Sequence, residues 1–122
     1  MSEIKSNPLK DKSYTFAIQI VRLSQYLVSE RREYVLSKQL LRSGTAVGAL
    51  IREGEFAASK ADFVNKFTVS LKEANETEFW LMLLKDTDYL DDDQFNVLDS
   101  QCKELISTLV SLIKTTKSRI NR

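Results

Sequence analysis

The side chains best equipped for chemistry fall into a few clusters. The stretch DTDYLDDDQFNVLD, Asp86 to Asp99, holds six aspartates and invites a calcium-loop reading, because hard cations take carboxylate and carbonyl oxygens at fixed loop positions. An EF-hand loop opening at Asp86 requires Asp or Asn where Leu90 stands and glycine where Asp91 stands. The run therefore fits a solvated turn followed by aspartates that suit the positive end of a helix. Glu73, Glu76 and Glu78 offer acid/base carboxylates. Pairing such as Lys72 with Glu76 at i, i+4 makes them a charged helix face instead. The chain contains no histidine, so Ser-His-Asp and Cys-His catalysis, His-containing metal sites and the Glu-x-x-His pairs of di-iron bundles are excluded. No enzyme, metal, cofactor or small-molecule substrate is expected.

All three glycines, Gly44, Gly48 and Gly54, lie in LLRSGTAVGALIREGEF, Leu40 to Phe56. A phosphate-cradling loop needs Gly-Lys-Ser/Thr, or G-x-G-x-x-G between strand and helix, and neither is present. At about 100° per residue, Leu36, Leu40, Val47, Ile51 and Gly54 share one arc, so helical periodicity runs straight through the glycines. Gly44 and Gly48, four apart, flank that arc as residues that let backbones approach closely. Lys38, Arg42 and Arg52 gather on the opposite side and form a candidate phosphate-contacting face. Arg31 and Arg32, just before this helix, extend it, while Glu53 and Glu55 lie nearby.

Positioning these groups falls to helices. A chain of 122 residues with 43% hydrophobic and 29% charged residues is an ordinary globular composition for one domain. One proline and three glycines favour helix over sheet. The first helix runs from about Ser13 to Glu30 on the stripe Phe16, Ile20, Leu23, Leu27. The second begins near Tyr34. The third follows Ser59 as N-cap, with Asp62 completing a variant capping box. The fourth carries the seam Phe95, Leu98, Cys102, Leu105, Leu109, Leu112, Thr116. Short links between such helices predict an all-α, antiparallel up-down-up-down four-helix bundle over residues 13–120, preceded by a flexible segment, 1–12. Cys102 is the single cysteine and reads as a small core residue of a protein in a reducing cytoplasm. No signal-peptide core and no membrane span are expected.

The six-residue apolar run FWLMLL, Phe79 to Leu84, sweeps more than a full turn. A monomeric bundle buries only a stripe of each helix, so Phe79, Trp80, Leu83 and Leu84 are expected to meet another subunit, with Trp80 as anchor, the alternative being cover from loops and the chain's own ends. Charge is uneven. Residues 1–60 carry 10 Lys/Arg and 6 Asp/Glu, residues 61–104 carry 4 and 11, and residues 105–122 carry 4 and none. That pattern allows a local basic face without making the chain a uniformly basic one.

The segment Gln39 to Leu84 carries Gln-Leu-x-Arg-Ser-Gly-Thr-x-x-Gly, then Ser-Lys-Ala-Asp-Phe, then Leu-Lys-Glu-Ala-x-Glu-Thr-x-x-Trp-Leu. It resembles the four-helix-bundle family of proteins encoded in intervening sequences of the large-subunit ribosomal RNA gene. The same fold is shared by the accessory protein of diversity-generating retroelements, which works beside a reverse transcriptase and binds nucleic acid. The resemblance implies a pentameric ring and an RNA-associated or scaffolding role, with no enzymatic activity. The alternatives are a protein-interaction module that touches no nucleic acid, and an accessory subunit to a reverse transcriptase. That relative is conspicuously basic, whereas this chain is nearly neutral.

Overall fold

The computed structural model describes residues 8–120, folded into α1 (Pro8–Arg31), α2 (Leu36–Glu55), α3 (Lys60–Asp86) and α4 (Asp92–Ile120). The expected stripes face inward. Phe16, Ile20 and Leu27 of α1 are fully buried, as are Leu40, Val47 and Ile51 of α2. The α4 seam holds from Phe95 to Leu109 and then passes to Ile113 rather than Leu112. A helix of 3.6 residues per turn drifts from a strict 3, 4 alternation, and the last step becomes four. The first helix starts at Pro8, not Ser13. Proline suits a first turn because its missing N–H would have had no helical partner there, and the earlier start carries Leu9 into the core. Residues 1–7 of the expected N-terminal segment lie outside the described residues.

Side chains stop and start the helices. At α2, the buried Glu33 carboxylate accepts from the backbone N–H groups of Val35, Leu36 and Ser37 at 3.2, 3.0 and 2.7 Å. It satisfies donors that a helix start leaves without partners and places negative charge at the positive end of the dipole. At α3, Ser59 Oγ accepts from Asp62 N–H at 3.0 Å while Asp62 Oδ2 accepts from Ala58 N–H at 3.2 Å, the expected variant capping box. The acidic run divides its work. Asp88 takes a left-handed φ of 69° past the end of α3, with Tyr89 N–H returning to the Leu84 carbonyl at 2.8 Å. Asp91 and Gln94 then cap α4 reciprocally, each side chain accepting from the other's N–H at 2.8 and 2.9 Å.

Consecutive helices are neighbours, α1 and α4 touch more sparsely, and α1 and α3 stand diagonally. As residue number rises along α1, its partners on α2 fall: Ser13 lies against Gly48, Ile20 against Gly44, and Ser24 Oγ donates to the Ser37 carbonyl at 3.3 Å. The same reversed order joins α2 to α3. Gly54 meets Phe67, the Val47 carbonyl accepts from Ser70 Oγ at 2.9 Å, and Ser43 Oγ lies 2.9 Å from Thr77 Oγ1. It also joins α3 to α4, where Ala74 meets Cys102 and Glu78 meets Asp99.

The glycines mark where α2 comes closest to its neighbours. A Cβ on Gly44 would lie 2.8 Å from Ile20 Cγ2, and one on Gly54 would lie 2.5 Å from Phe67 Cε1, whereas at Gly48 the nearest atom is Ser13 Oγ at 3.3 Å. Gly44 and Gly48 therefore pack against α1 of the same chain. Gly44→Ala and Gly54→Ala should lower the urea-unfolding free energy by about 1 kcal/mol, since overpacking of about 1–3 kcal/mol exceeds a helix-propensity gain of roughly 1 kcal/mol. Gly48→Ala should cost less than either, because its Cβ would ask Ser13 to yield by only a few tenths of an ångström. Unchanged midpoints for the first two would reject close packing as the reason for glycine.

Candidate functional site

The five candidate cations separate into two groups. Arg42 lies in a carboxylate clamp: its Nη1 donates to Glu73 Oε1 at 3.1 Å and its Nη2 to Glu76 Oε2, while its Nε reaches Gln39 Oε1 at 3.4 Å. Glu76 Oε2 also accepts from Trp80 Nε1 at 2.9 Å. Arg42 is thus a link between α2 and α3, with its charge answered by two carboxylates. Arg31 is similarly engaged. Its Nη1 and Nη2 donate to the carbonyls of Tyr89 and Asp88 at 3.0 and 3.2 Å, and its guanidinium lies 4.9 Å from the centre of the Tyr89 ring. It ties the end of α1 to the α3–α4 turn.

Lys38, Arg52 and Arg32 are exposed and have no ion pair among the described residues. Arg32 sits in the α1–α2 turn at a left-handed φ of 53°. Lys38 and Arg52 occupy the outer face of α2, roughly four turns and about 21 Å apart along the axis. Of the expected face, then, the two ends project freely and the middle is tied to α3.

Beside Arg52 lies a feature that the sequence reading did not include, a groove of about 560 Å³ between α1 and α2. Ala17, Gly48 and Ala49 line it with small side chains, and Tyr14 and Arg52 stand along it. Tyr14 is 66% exposed. Its signal was an aromatic residue lying off the Phe16 stripe of α1, on the side where a helix ordinarily shows polar residues.

The expected apolar interface also divides. Leu84, together with Leu81, is fully buried within the chain and so belongs to its own core rather than to a contact surface. Trp80 and Leu83 are half-buried. Phe79 and Met82 remain 56% and 49% exposed, and Phe79 packs edge-on against Trp80 with ring centres 5.0 Å apart. Among the described residues, no loop or helix end covers them.

A titratable cluster fills the α3–α4 seam. A hydrogen bond with Asp99, then burial and the Asp99 charge, hold the Glu78 carboxyl above its ordinary 4.5, against the pull of Lys103. Lys103 lies 3.4 Å from Asp99 and 3.7 Å from Glu78, and chiefly the Asp99 charge holds it above its ordinary 10.5. Asp99 Oδ1 is buried and, the shared Glu78 proton aside, has no hydrogen-bond donor among the described residues. Burial, reinforced by the Glu78 and Asp99 charges, pushes the neighbouring Cys102 thiol up to about 12, and its Sγ donates to the Ala74 carbonyl at 3.2 Å. Such a thiol is a poor nucleophile at neutral pH.

A family model described as 23S rRNA-intervening sequence protein matches residues 5–111, and the chain belongs to that family. The resemblance read from Gln39 to Leu84 is borne out. A solved structure from Bacteroides thetaiotaomicron, described as a protein with unknown function from the S23 ribosomal protein family, is 52% identical in sequence. It superimposes with a TM-score of 0.86 over 87% of this chain and 98% of that one. No curated protein matches.

The Glu78 proton is held more tightly in the folded state than in the unfolded chain. The stability it contributes is therefore full below 4.5 and is lost as pH rises through the raised folded value. Glu78→Gln removes that loss and gives Asp99 a permanent amide donor. Its melting temperature should exceed that of the parent near neutral pH, with the difference shrinking towards pH 4.5. A difference that does not change with pH would show that no proton is linked to folding at this seam.

Proposed function

We propose that this chain is a non-enzymatic, self-associating bundle of the cytoplasm that accompanies ribosomal RNA as an RNA-contacting or scaffolding component. The observation that carries the self-association is the exposure of Phe79 and Met82 on a helix whose inward face is already fully packed. Large apolar side chains grouped on an otherwise polar surface favour a partner, and another copy of the chain is the simplest one. Five copies is the number that the fold resemblance suggests. The RNA half of the reading draws on the description of the matching family, together with the free cations Lys38 and Arg52 on one helix face.

The clamped Arg42 favours a second reading, a protein-interaction module without nucleic acid, because pairing with Glu73 and Glu76 removes the central charge of the face. The nearly neutral net charge agrees with it. Accessory service to a reverse transcriptase is less well supported on the same ground.

Absolute mass from light scattering, with and without a structured ribosomal RNA fragment at physiological salt, separates these readings. An assembly that gains RNA mass supports the first. An assembly that ignores RNA leaves the interaction module, and a plain monomer removes self-association. Phe79→Asp combined with Met82→Asp should return the assembly to monomer mass with helicity intact, and an unchanged mass would place the contact elsewhere. In RNA titrations, Lys38→Ala with Arg52→Ala should flatten the dependence of log affinity on log salt by about 1–2 phosphate contacts, while Arg42→Ala should leave the slope nearly unchanged. The reverse ranking would show that RNA draws Arg42 out of its clamp.

A further inference from the structure

We infer that the groove between α1 and α2 is a subsite for one nucleotide of single-stranded RNA, with a base stacked on Tyr14 and a phosphate held by Arg52. This deepens the RNA reading above and rests on it. The groove's volume of about 560 Å³ falls within the range that suits a small organic group. Ala17, Gly48 and Ala49 supply a shallow apolar lining, which admits a flat ring and carries no donor pattern that would select one base over another.

Two side chains provide the attraction. The Tyr14 ring is 66% exposed, so stacking on a base removes apolar surface that the fold itself leaves wet. Arg52 has no ion pair among the described residues. It stands one turn beyond Gly48 and Ala49 on α2, about 5.4 Å along the axis, so ring and phosphate are met at successive levels of the groove. The other charges refine the placement. Lys10 lines the groove and also pairs with Glu55 at 3.9 Å, and Asp11 lies on the α1 wall. The Asp11 carboxylate repels phosphate from that wall and favours the Arg52 side. Thr45 Oγ1 donates to the Leu41 carbonyl at 2.7 Å, which leaves its oxygen as an acceptor for a ribose 2′-hydroxyl. Lys38, about 21 Å farther along the same helix, lies on the course a strand would take after leaving the groove.

The test uses the full chain and a fluorescently labelled 12-nucleotide single-stranded RNA carrying one 2-aminopurine. Affinity is read by anisotropy and stacking by quenching of the purine, for the parent, Tyr14→Ala, Tyr14→Phe, Arg52→Ala and the outward α3 control Lys72→Ala. Helicity by circular dichroism confirms each fold, and the exposure of Tyr14 makes its replacement structurally mild. Tyr14→Ala should weaken binding roughly tenfold and abolish quenching, while Tyr14→Phe keeps both, because stacking needs the ring and not the hydroxyl. Arg52→Ala should lower the salt slope by about 0.7, and Lys72→Ala should change neither readout. Parent-like binding and quenching in Tyr14→Ala would overturn the groove assignment while leaving RNA association standing. No binding by the parent chain would overturn both.

Discussion

The whole bundle turns on how closely α2 approaches two neighbours at once. It lies between α1 and α3, and on both sides its contacts are made by small residues: Gly44 and Gly48 towards α1, Ser43 and Gly54 towards α3. With so little side chain between backbones, hydroxyls reach across helices, as Ser70 does to the Val47 carbonyl and Ser24 to that of Ser37. A buried hydroxyl with a partner avoids the desolvation penalty that makes lone polar groups rare in cores. The close approach also shapes the outside. Where the α1–α2 seam is built of Ala17, Gly48 and Ala49, the surface sinks into a groove, and the longer Tyr14 and Arg52 stand along it.

Much of this was legible from residue spacing. The four helices, the core stripes of α1 and α4, the Ser59 cap and the passage of a helix through the glycines follow from periodicity and backbone chemistry, which are local in the chain. The departures have physical reasons of their own. Pro8 starts a helix because a first turn tolerates it. Leu84 belongs to the core because six apolar residues in a row still present only one arc to it, and that arc falls on Leu81 and Leu84. The caps at Glu33 and Asp91 were also local, but an acidic side chain is commonest in turns for solvation alone, so its type does not reveal what it binds.

The candidate site was less legible, because its electrostatics are not local. Arg42 looked like Lys38 and Arg52 on a helical wheel. What sets it apart is Glu73 and Glu76, which stand 31 and 34 positions away and reach it only through the antiparallel packing of α2 on α3. Arg31 is likewise set apart by carbonyls of Tyr89 and Asp88, 58 and 57 positions away. A wheel sorts one helix's side chains by direction and says nothing of which charges the next helix brings to meet them. Tyr14 stands off the core stripe of α1, and the groove it lines exists only because folding brings Gly48, Ala49 and Arg52 of α2 beside it.

The single cysteine gives the molecule a clock. Cys102 is fully buried in the α3–α4 seam, its sulfur hydrogen-bonded to the Ala74 backbone and its thiol kept protonated by its surroundings. A thiol reagent can reach it only in the moments when those two helices part, and with one cysteine in the chain every label records one such opening. The rate of labelling therefore reports the free energy of opening the seam, or the opening rate itself once the reagent outpaces reclosing, with no residue having to be substituted. A partner that docks on α3 slows that rate in proportion to how tightly it holds the helix in place.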